Sequence, residues 1–417
     1  MIEWVSMTTK RPLAVIFLTV LVDLIGIGIL IPVIPQLLAN PESHSYLLSG
    51  QVTPQQGLLI FGFLTAVYPL MSFLSAPILG QLSDRYGRRK VLAFCLSGTA
   101  VGYALFAIAI ITKNLPLLFI ARIIPGITGG NISVAQAAVA DISKPEDRAK
   151  NFGLLGAAFG LGFVLGPFLG GKLADPAVVS WFNASVPFWF AAGLATLNFA
   201  SVILFFPETH RTDAAAKAFR WLKSMGDIAA VFRWKELRGL FAASFLFYSG
   251  FGFISFFGVY MTDKFGFTEG QTGNYFAYVG ICIMLAQAVL VRFVTKYWSD
   301  AHILRVSMFG TAMTLFAFVL ARETWQLYLI PPFMAASNGL SMASLTSLVS
   351  RTAGPERQGE ILGLNVSLQS LANVVPPLMA GAIAARWSTE TPIAVGAAVC
   401  ACAWIAFGLM TRSAAKA

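Results

Sequence analysis

The chain has 417 residues, of which 57% are hydrophobic and only 12% are charged. The charged fraction is about half of that in a typical soluble domain, which argues against a water-soluble enzyme and indicates a membrane protein. A net charge of +10 would suit a nucleic-acid-binding protein, so its meaning depends on where the basic residues lie.

Apolar segments of about 20 residues recur twelve times, and each is long enough to cross the hydrocarbon core of a bilayer as an α-helix. We number them spans 1 to 12; they lie near residues 13–38, 56–79, 90–112, 115–139, 151–172, 184–206, 238–261, 271–293, 302–321, 325–347, 360–384 and 392–411. The sequence therefore predicts an all-α membrane protein with twelve transmembrane helices and no catalytic domain. Span 1 carries Asp23 and is followed by eleven more spans, so we expect a retained helix rather than a signal peptide.

The basic residues predict the orientation of the chain. An even number of spans places both termini on the same side of the membrane. If that side is the cytoplasm, 23 of the 29 Lys and Arg residues are cytoplasmic and five lie outside. This excess is typical of cytoplasmic loops and explains the positive charge without nucleic acid, which we do not expect as a partner.

The longest hydrophilic segment divides the spans six and six. We predict an N-terminal six-helix bundle over residues 1–206, a cytoplasmic linker over 207–237 and a C-terminal six-helix bundle over 238–417. Within the linker, apolar residues at helical spacing alternate with basic ones, which indicates an amphipathic helix on the inner leaflet.

An internal repeat supports this division. A shift of 210 residues superimposes Gly129 on Gly339, Pro145 on Pro355, Gly153 on Gly363, Pro167 on Pro377 and Gly171 on Gly381. Two similar halves related by an axis along the membrane normal, with a site between them near the midplane, are typical of transporters.

Asp23 and Arg122 are the two charges deep within the predicted spans. Asp23 lies about 15 Å from the cytoplasmic end of span 1, near the bilayer centre. An ionised group there costs several kcal/mol, so we favour a functional role for Asp23 over a buried hydrogen bond at a helix kink. Arg122 on span 4 reaches a similar depth. An ion pair between Asp23 and Arg122 would have one of two roles. It would only neutralise two costly charges, or it would break and re-form during transport as Asp23 gains and loses a proton. The sequence leaves both roles open.

The segment between spans 2 and 3 predicts a cytoplasmic gate rather than an ordinary basic loop. Gly80 would permit close helix approach, Gly87 would form a tight turn, and Asp84 lies among four cations. The start of span 11 at residues 354–356 would attract Asp84 through its helix dipole and latch the two halves together. The predicted gate residues are Gly80, Asp84, Arg85, Gly87, Arg88 and, from the end of span 4, Asp141.

Span 5 is rich in glycine. Gly162, Gly166 and Gly170 follow the spacing of small residues that lets membrane helices pack closely, with Pro167 among them. The segment from Gly166 to Lys172 also fits G-x-x-x-x-G-K, but Leu173 follows where a nucleotide-binding loop needs Ser or Thr. We therefore predict helix packing and no nucleotide site.

Polar and aromatic residues on other spans predict a substrate cavity, although interhelical hydrogen bonds would also explain them. The candidates are Asn131 and Gln136 on span 4, Tyr248 and Phe256 on span 7, Asn338 on span 10, and Asn365 and Gln369 on span 11. The few histidines and cysteines lack the spacing of a metal site, and none is predicted.

These motifs resemble the major facilitator superfamily, and specifically its tetracycline-efflux branch of drug:proton antiporters. The likeness is carried by residues 23–35, 80–89, 122–130, 140–148, 160–171 and 356–359. The resemblance implies that Asp84 and Arg88 form the cytoplasmic gate with Asp141, that Arg122 couples proton and drug movement, and that Asp23 lies in the central cavity. The chain departs from the resembled exporters in span 9, where they carry an acid and this chain has Gly310 near the expected place.

The predicted function is proton-coupled efflux of a small amphipathic compound, such as a drug or antibiotic, by alternating access between the two halves. We expect a monomer in the bacterial cytoplasmic membrane, with lipid, protons and the transported compound as partners and the proton gradient in place of a cofactor. The alternative is a proton symporter or facilitator that imports a small metabolite. A receptor without transport would leave Asp23 and Arg122 unexplained.

Overall fold

The computed structural model describes residues 2–48, 50, 52–144, 147–209, 238–352 and 358–414. The predicted linker helix, Pro145 and Pro355 of the repeat, and the start of span 11 at residues 354–356 lie outside these ranges. The described residues are predominantly helical and contain no strand, which confirms the expected all-α membrane fold.

We label twelve membrane helices in chain order. They are α1 (Arg11–Leu38), α2 (Pro54–Tyr86), α3 (Arg88–Ile111), α4 (Leu115–Ile142), α5 (Asn151–Ala174), α6 (Val186–Phe205), α7 (Arg238–Phe265), α8 (Glu269–Tyr297), α9 (Asp300–Leu320), α10 (Pro331–Thr352), α11 (Leu364–Arg386) and α12 (Thr391–Met410). Among the described residues, eleven are long and apolar enough to cross a membrane. The remaining one, α10, is made more polar by its serines and Asn338.

Capping boxes fix the starts of α2 and α8. The Thr53 hydroxyl accepts a hydrogen bond from the Gln56 amide at 3.3 Å, and the Gln56 side chain accepts one from the Thr53 amide at 2.9 Å. Thr268 and Gln271 repeat this exchange at α8. These side chains satisfy backbone N–H groups that the first helical turn leaves without partners.

Several membrane helices are interrupted near their middles. Helix α4 breaks at Gly129 and Gly130, and α11 breaks between Ala372 and Val375. Helix α7 contains a 3₁₀ turn at Phe253–Phe256, and α8 contains a π turn at Ala286–Val291. Such irregular backbone within a membrane is tolerated where it is buried in protein or lines a cavity.

The helices pack in two similar groups. In the first half α1 lies against α5 and α6, and α3 lies against α4 and α6. In the second half α7 lies against α12, and α9 lies against α10 and α12. The two halves meet where α5 packs on α8 and α2 packs on α11.

The two faces of the membrane domain differ in how closely these halves approach. We call the face that carries the α2–α3 turn the basic face and the other the opposite face. Near the opposite face, Gly171 of α5 lies against Gly273 of α8. Toward the basic face, α5 meets α8 more loosely at Gly160, and an added Cβ on Gly156 or Gly153 would have no neighbour within 4 Å. Among the described residues, the halves are therefore closed on the opposite face and open on the basic face.

Candidate functional site

Asp23 is buried in the first half, with only 4% of its surface exposed. Asn131 is the polar side chain beside its carboxylate, and it begins the second segment of α4 directly after the break at Gly129 and Gly130. The Asp23 Oδ2 atom has no hydrogen-bond partner, and neither has the Asn131 Nδ2 atom. The structure thus places a carboxylate with an unused acceptor in the interior of the membrane domain.

Arg122 is also buried, but it faces an aromatic ring instead of the acid. Its guanidinium carbon lies 4.7 Å from the ring centre of Tyr68 on α2, and its Nε atom has no hydrogen-bond partner. No ion pair joins Arg122 to Asp23 among the described residues. Both roles that the sequence suggests for such a pair stay predictions for another conformation.

Close packing of α2 against α4 places Tyr68 on Arg122. A Cβ on Gly126 would lie 2.6 Å from the Met71 Cβ, and the Ser75 hydroxyl donates a hydrogen bond to the Gly126 carbonyl at 3.1 Å. Sequence reasoning missed Tyr68 because nothing in its spacing relates it to Arg122, which is on another helix.

The candidate cavity residues of the second half are polar but uncharged. Asn365, Gln369 and Thr346 lie beside the Tyr248 hydroxyl. The Tyr248 hydroxyl and the Oδ1 atoms of Asn365 and Asn338 are buried without hydrogen-bond partners. These groups offer donors and acceptors that a solute with polar substituents could use.

Two other predicted cavity residues lie in different surroundings. Gln136 is exposed on α4. Phe256, expected in the cavity, is instead fully buried and packs edge to face against Phe61 of α2, with ring centres 4.9 Å apart. Because the 3₁₀ turn of α7 directs this ring toward α2, Phe256 belongs to the contact between the halves.

A polar link also crosses between the halves on the opposite face. The Gln36 Nε2 atom donates to the Phe267 carbonyl at 2.8 Å and lies 3.3 Å from the Thr262 hydroxyl. A cavity of about 700 Å³ adjoins this link, with Glu42, His44 and Asp263 among its lining residues. Gln36 was not among the predicted site residues, although only 3% of its surface is exposed and it is on the same helix as Asp23.

Arg88 organises the predicted gate on the basic face. Its Nη1 atom lies 2.6 Å from the Asp84 carboxylate and 2.5 Å from the Ser83 hydroxyl, and its Nε atom lies 3.0 Å from Asp141. Asp84 is largely exposed, whereas the Arg88 side chain is only 8% exposed. The predicted gate residues therefore meet within the first half, and the latch partner at residues 354–356 lies outside the described residues.

The remaining predicted gate residues lie in different surroundings. Gly87 has a φ of +97°, which favours glycine, and makes the turn from α2 into α3. Nothing lies within 4 Å of a Cβ added to Gly80, so this helix face is free in the present conformation. The exposed Arg85 lies over the neighbouring Tyr86 ring at 5.7 Å.

Glu208 contacts the predicted gate residues, and sequence reasoning missed it. Its carboxylate accepts hydrogen bonds from the backbone amides of Arg88 at 2.7 Å and Arg89 at 3.2 Å. An acid at the N-terminus of α3 satisfies free amides and complements the helix dipole. Glu208 follows α6 by only a few residues, but its distance along the chain from Arg88 gave no sign of the contact.

The second half carries a related ion pair with the charges exchanged. Arg351, at the end of α10, lies 3.4 Å from the carboxylate of Asp300, at the start of α9, and Ser347 donates to the same carboxylate at 2.7 Å. The 210-residue shift superimposes Asp141 on Arg351. Equivalent helix ends on the basic face therefore carry opposite charges in the two halves.

The glycines of α5 lie against α1. A Cβ on Gly166 would lie 2.8 Å from the Gly28 Cα, and one on Gly170 would lie 2.8 Å from the Ile29 Cα. Gly162 lies against Leu24, and the Pro167 ring lies against Gly28. This packing holds the α1 segment that carries Asp23.

Helix α9 has no acid where the resembled exporters carry one. A Cβ on Gly310 would lie 2.5 Å from the Ser337 hydroxyl of α10. Nearby, Ser341 donates to the Ser307 hydroxyl at 2.8 Å. Close packing of α9 on α10 through small residues fills this place.

Comparison with known proteins decides the family. The family described as Major Facilitator Superfamily matches residues 16–377 and 240–417. The chain belongs to the major facilitator superfamily. Its curated relatives include the class C tetracycline resistance protein of Escherichia coli, 34% identical over 94% of this chain and 95% of that protein. The class H protein of Pasteurella multocida is 30% identical over 89% of this chain and 88% of its own.

Solved structures of transporters share the fold. The human organic anion transporter MFSD10 has a TM-score of 0.70 at 23% identity and covers 96% of this chain and 99% of its own. The nucleoside transporter NupG has a TM-score of 0.74 at 12% identity, covering 97% of this chain and 99% of its own. The family and these relatives are transporters, so this chain is a multi-pass membrane transporter and not an enzyme.

Proposed function

We propose that the chain exports a small amphipathic compound across the bacterial cytoplasmic membrane in exchange for protons. The tetracycline resistance proteins among its relatives support drug efflux as the class of activity. The excess of basic residues supports cytoplasmic termini, so the basic face is the cytoplasmic face and the present conformation is open to the cytoplasm.

The proposal depends above all on the buried Asp23 carboxylate. Its Oδ2 atom has no partner, and an unpaired ionised carboxylate at this depth is costly. Two events relieve that cost: a proton binds, or the polar part of the substrate binds. If each excludes the other, the exchange of one for the other is antiport.

The substrate binds between the two halves, whose facing surfaces differ in charge. The first half contributes Asp23 and Arg122, and the second half contributes uncharged groups such as Tyr248, Asn365 and Gln369. The two six-helix bundles, residues 1–206 and 238–417, rock about this site and expose it to one side at a time, connected by the linker over 207–237. One copy of the chain contains both surfaces, so a monomer suffices, and the proton gradient replaces a cofactor.

Exchange in proteoliposomes tests the proposal. Purified protein is reconstituted with a pH-sensitive dye inside, and proton flux is followed on addition of tetracycline or of ethidium as a cationic aromatic dye. We expect the wild type to move protons opposite to at least one compound and Asp23→Asn to abolish that flux. Asp147→Asn is the control, because Asp147 is exposed and makes no side-chain cap on the following helix.

Two results would contradict the proposal. Undiminished exchange in Asp23→Asn would remove Asp23 from proton coupling. Proton movement in the same direction as the compound would establish the symport alternative instead.

A further inference from the structure

We infer that Tyr68 is a positioning residue that holds Arg122 away from Asp23 while the basic face is open, and so leaves the Asp23 carboxylate free to accept a proton or substrate. The inference rests on the proposed exchange at Asp23. It adds a residue on a third helix, α2, that couples the contact between the halves to the charge site.

The first observation is the contact that Arg122 makes. A buried guanidinium normally pairs with a carboxylate, and Asp23 is the one buried acid among the described residues. Instead, the guanidinium carbon lies 4.7 Å from the centre of the Tyr68 ring, within cation–π range. The Tyr68 ring therefore stabilises the Arg122 cation and leaves the Asp23 carboxylate without an ion-pair partner.

The second observation is that both charges keep unused hydrogen-bonding atoms. The Nε atom of Arg122 and the Oδ2 atom of Asp23 are buried without partners. An ion pair between them would satisfy both atoms, so their separation needs a cause in the packing. Tyr68 lies close enough to interact electrostatically with each.

The third observation is that Tyr68 is fixed against α4 one turn before the break in that helix and at the break itself. A Cβ on Gly126 would lie 3.2 Å from the Tyr68 carbonyl oxygen. A Cβ on Gly129 would lie 3.1 Å from the Tyr68 hydroxyl. The phenol therefore has little room to turn away from Arg122 while α2 stays in place.

The position of α2 itself depends on the contact between the halves. Gly62 of α2 packs against Gly381 of α11 on the opposite face. Tyr68 follows Gly62 by six residues, about 9 Å along the helix. When the opposite face opens and this contact separates, a tilt of α2 moves the Tyr68 ring and releases Arg122 toward Asp23. Arg122 then displaces the substrate from the carboxylate.

Tyr103 is the competing candidate, because it also interacts electrostatically with both charges. Its hydroxyl end lies against Gly26 of α1, whereas the cation–π contact of Arg122 is made by Tyr68. The titratable and charged groups around Asp23 are Tyr68 on α2, Cys95 and Tyr103 on α3, and Arg122 on α4. Tyr103→Phe is therefore the matched control.

The test follows the infrared band of the protonated Asp23 carboxyl in the reconstituted full chain as the pH is changed, with Asp23→Asn identifying the band. In Tyr68→Leu, we expect Arg122 to pair with Asp23 and to favour its ionised form. The band should then disappear at a pH at least one unit lower, a tenfold change in proton affinity. Tyr68→Phe and Tyr68→Trp keep a ring and should stay near the wild type, as should Tyr103→Phe.

The Arg122→Gln background separates positioning from a general disturbance of the fold. If Tyr68 acts through Arg122, adding Tyr68→Leu to Arg122→Gln should shift the band no further. An unchanged band in Tyr68→Leu, or an equal shift in Tyr68→Phe, would overturn the inference. Failure of the proposed exchange would look different, because no Asp23 band would then respond to pH or to tetracycline in the wild type.

Discussion

Gly62 of α2 and Gly381 of α11 meet on the opposite face with no side chain between them. A Cβ on Gly62 would lie 2.6 Å from the Pro377 carbonyl oxygen and 3.1 Å from the Gly381 Cα. Both neighbours are backbone atoms, which cannot move aside as the end of a flexible side chain can. The two halves therefore approach here as closely as helices permit.

The contact between α5 and α8 has the same geometry. A Cβ on Gly273 would lie 2.6 Å from the Pro167 carbonyl oxygen and 3.0 Å from the Gly171 Cα. The 210-residue shift places Pro167 on Pro377 and Gly171 on Gly381. Because of the internal repeat, two equivalent contacts close the opposite face, and each joins one helix from each half.

Replacing either glycine should push the opposite face open. Gly62→Ala and Gly273→Ala place a methyl group against backbone, and overpacking of this kind typically costs about 1–3 kcal/mol. The population open on the opposite face should rise about fivefold or more. The measurement is the rate of maleimide labelling of a cysteine at Ala174, which is 1% exposed, in a background without the four native cysteines.

Gly193→Ala is the matched control for this prediction. Gly193 lies in the membrane helix α6, and a Cβ there would have no neighbour within 4 Å. Its labelling rate should equal that of the parent protein. Equal rates in all the variants would show that these glycines do not hold the face closed.

Alanine substitutions at Gly87 and Gly80 should affect stability differently. In Gly87→Ala the new Cβ would collide with the Glu208 carboxylate, and alanine would have to adopt a φ of +97°. The free energy of unfolding should therefore fall by about 1–3 kcal/mol. Gly80 is helical with free space around it, so Gly80→Ala should keep or slightly raise the melting temperature of the purified protein.

Transport measurements test whether Gly80 takes part in closing the basic face. If α11 approaches Gly80 when the basic face closes, Gly80→Ala should reduce transport at least several-fold despite its unchanged stability. A fully active Gly80→Ala variant would argue against close approach at this residue, and a stable Gly87→Ala would argue against the strained turn.

The membrane fold follows from local sequence properties. Spans 1 to 12 were predictable because each helix satisfies its own backbone hydrogen bonds and its hydropathy is read along one segment. Helix α10 shows the limit of hydropathy alone, since its serines lower it while Ser341 binds Ser307 of α9.

The contacts of the site were harder to predict, because each depends on how separate helices approach. Depth placed Asp23 and Arg122 near each other, but Tyr68 lies on a third helix and takes the guanidinium. Residue type also left Phe256 ambiguous, because an aromatic ring suits both a cavity and a contact between halves. Glu208 reaches Arg88 from the end of α6, for which no local pattern exists.

Arg88 and Asp84 should contribute unequally to stability. Arg88→Ala removes contacts with Ser83, Asp84 and Asp141 at once, and its side chain is 8% exposed, so we expect a loss of about 2–4 kcal/mol. Asp84 is 60% exposed, and surface ion pairs typically contribute less than about 1 kcal/mol. Thermal unfolding in detergent measures both changes.

Charge reversal adds a functional test of Asp84. Asp84→Lys should insert and fold, yet transport should fall sharply if Asp84 must meet residues 354–356 when the basic face closes. The exposed Asp147→Lys is the control for added positive charge on the same face. Normal transport in Asp84→Lys would contradict the predicted latch at Asp84.

The Phe61–Phe256 contact tests whether Phe256 holds the halves together or touches substrate. The two rings are almost fully buried and lie edge to face at 4.9 Å, a geometry that contributes about 0.5–1.5 kcal/mol beyond the buried area. Phe256→Ala should lower stability by about 3–5 kcal/mol. In a double-mutant cycle, Phe256→Ala and Phe61→Ala together should cost less than the sum of the single changes, because the two rings share one contact. Additive losses, or a raised KM with unchanged stability in Phe256→Ala, would instead assign this ring to the substrate cavity.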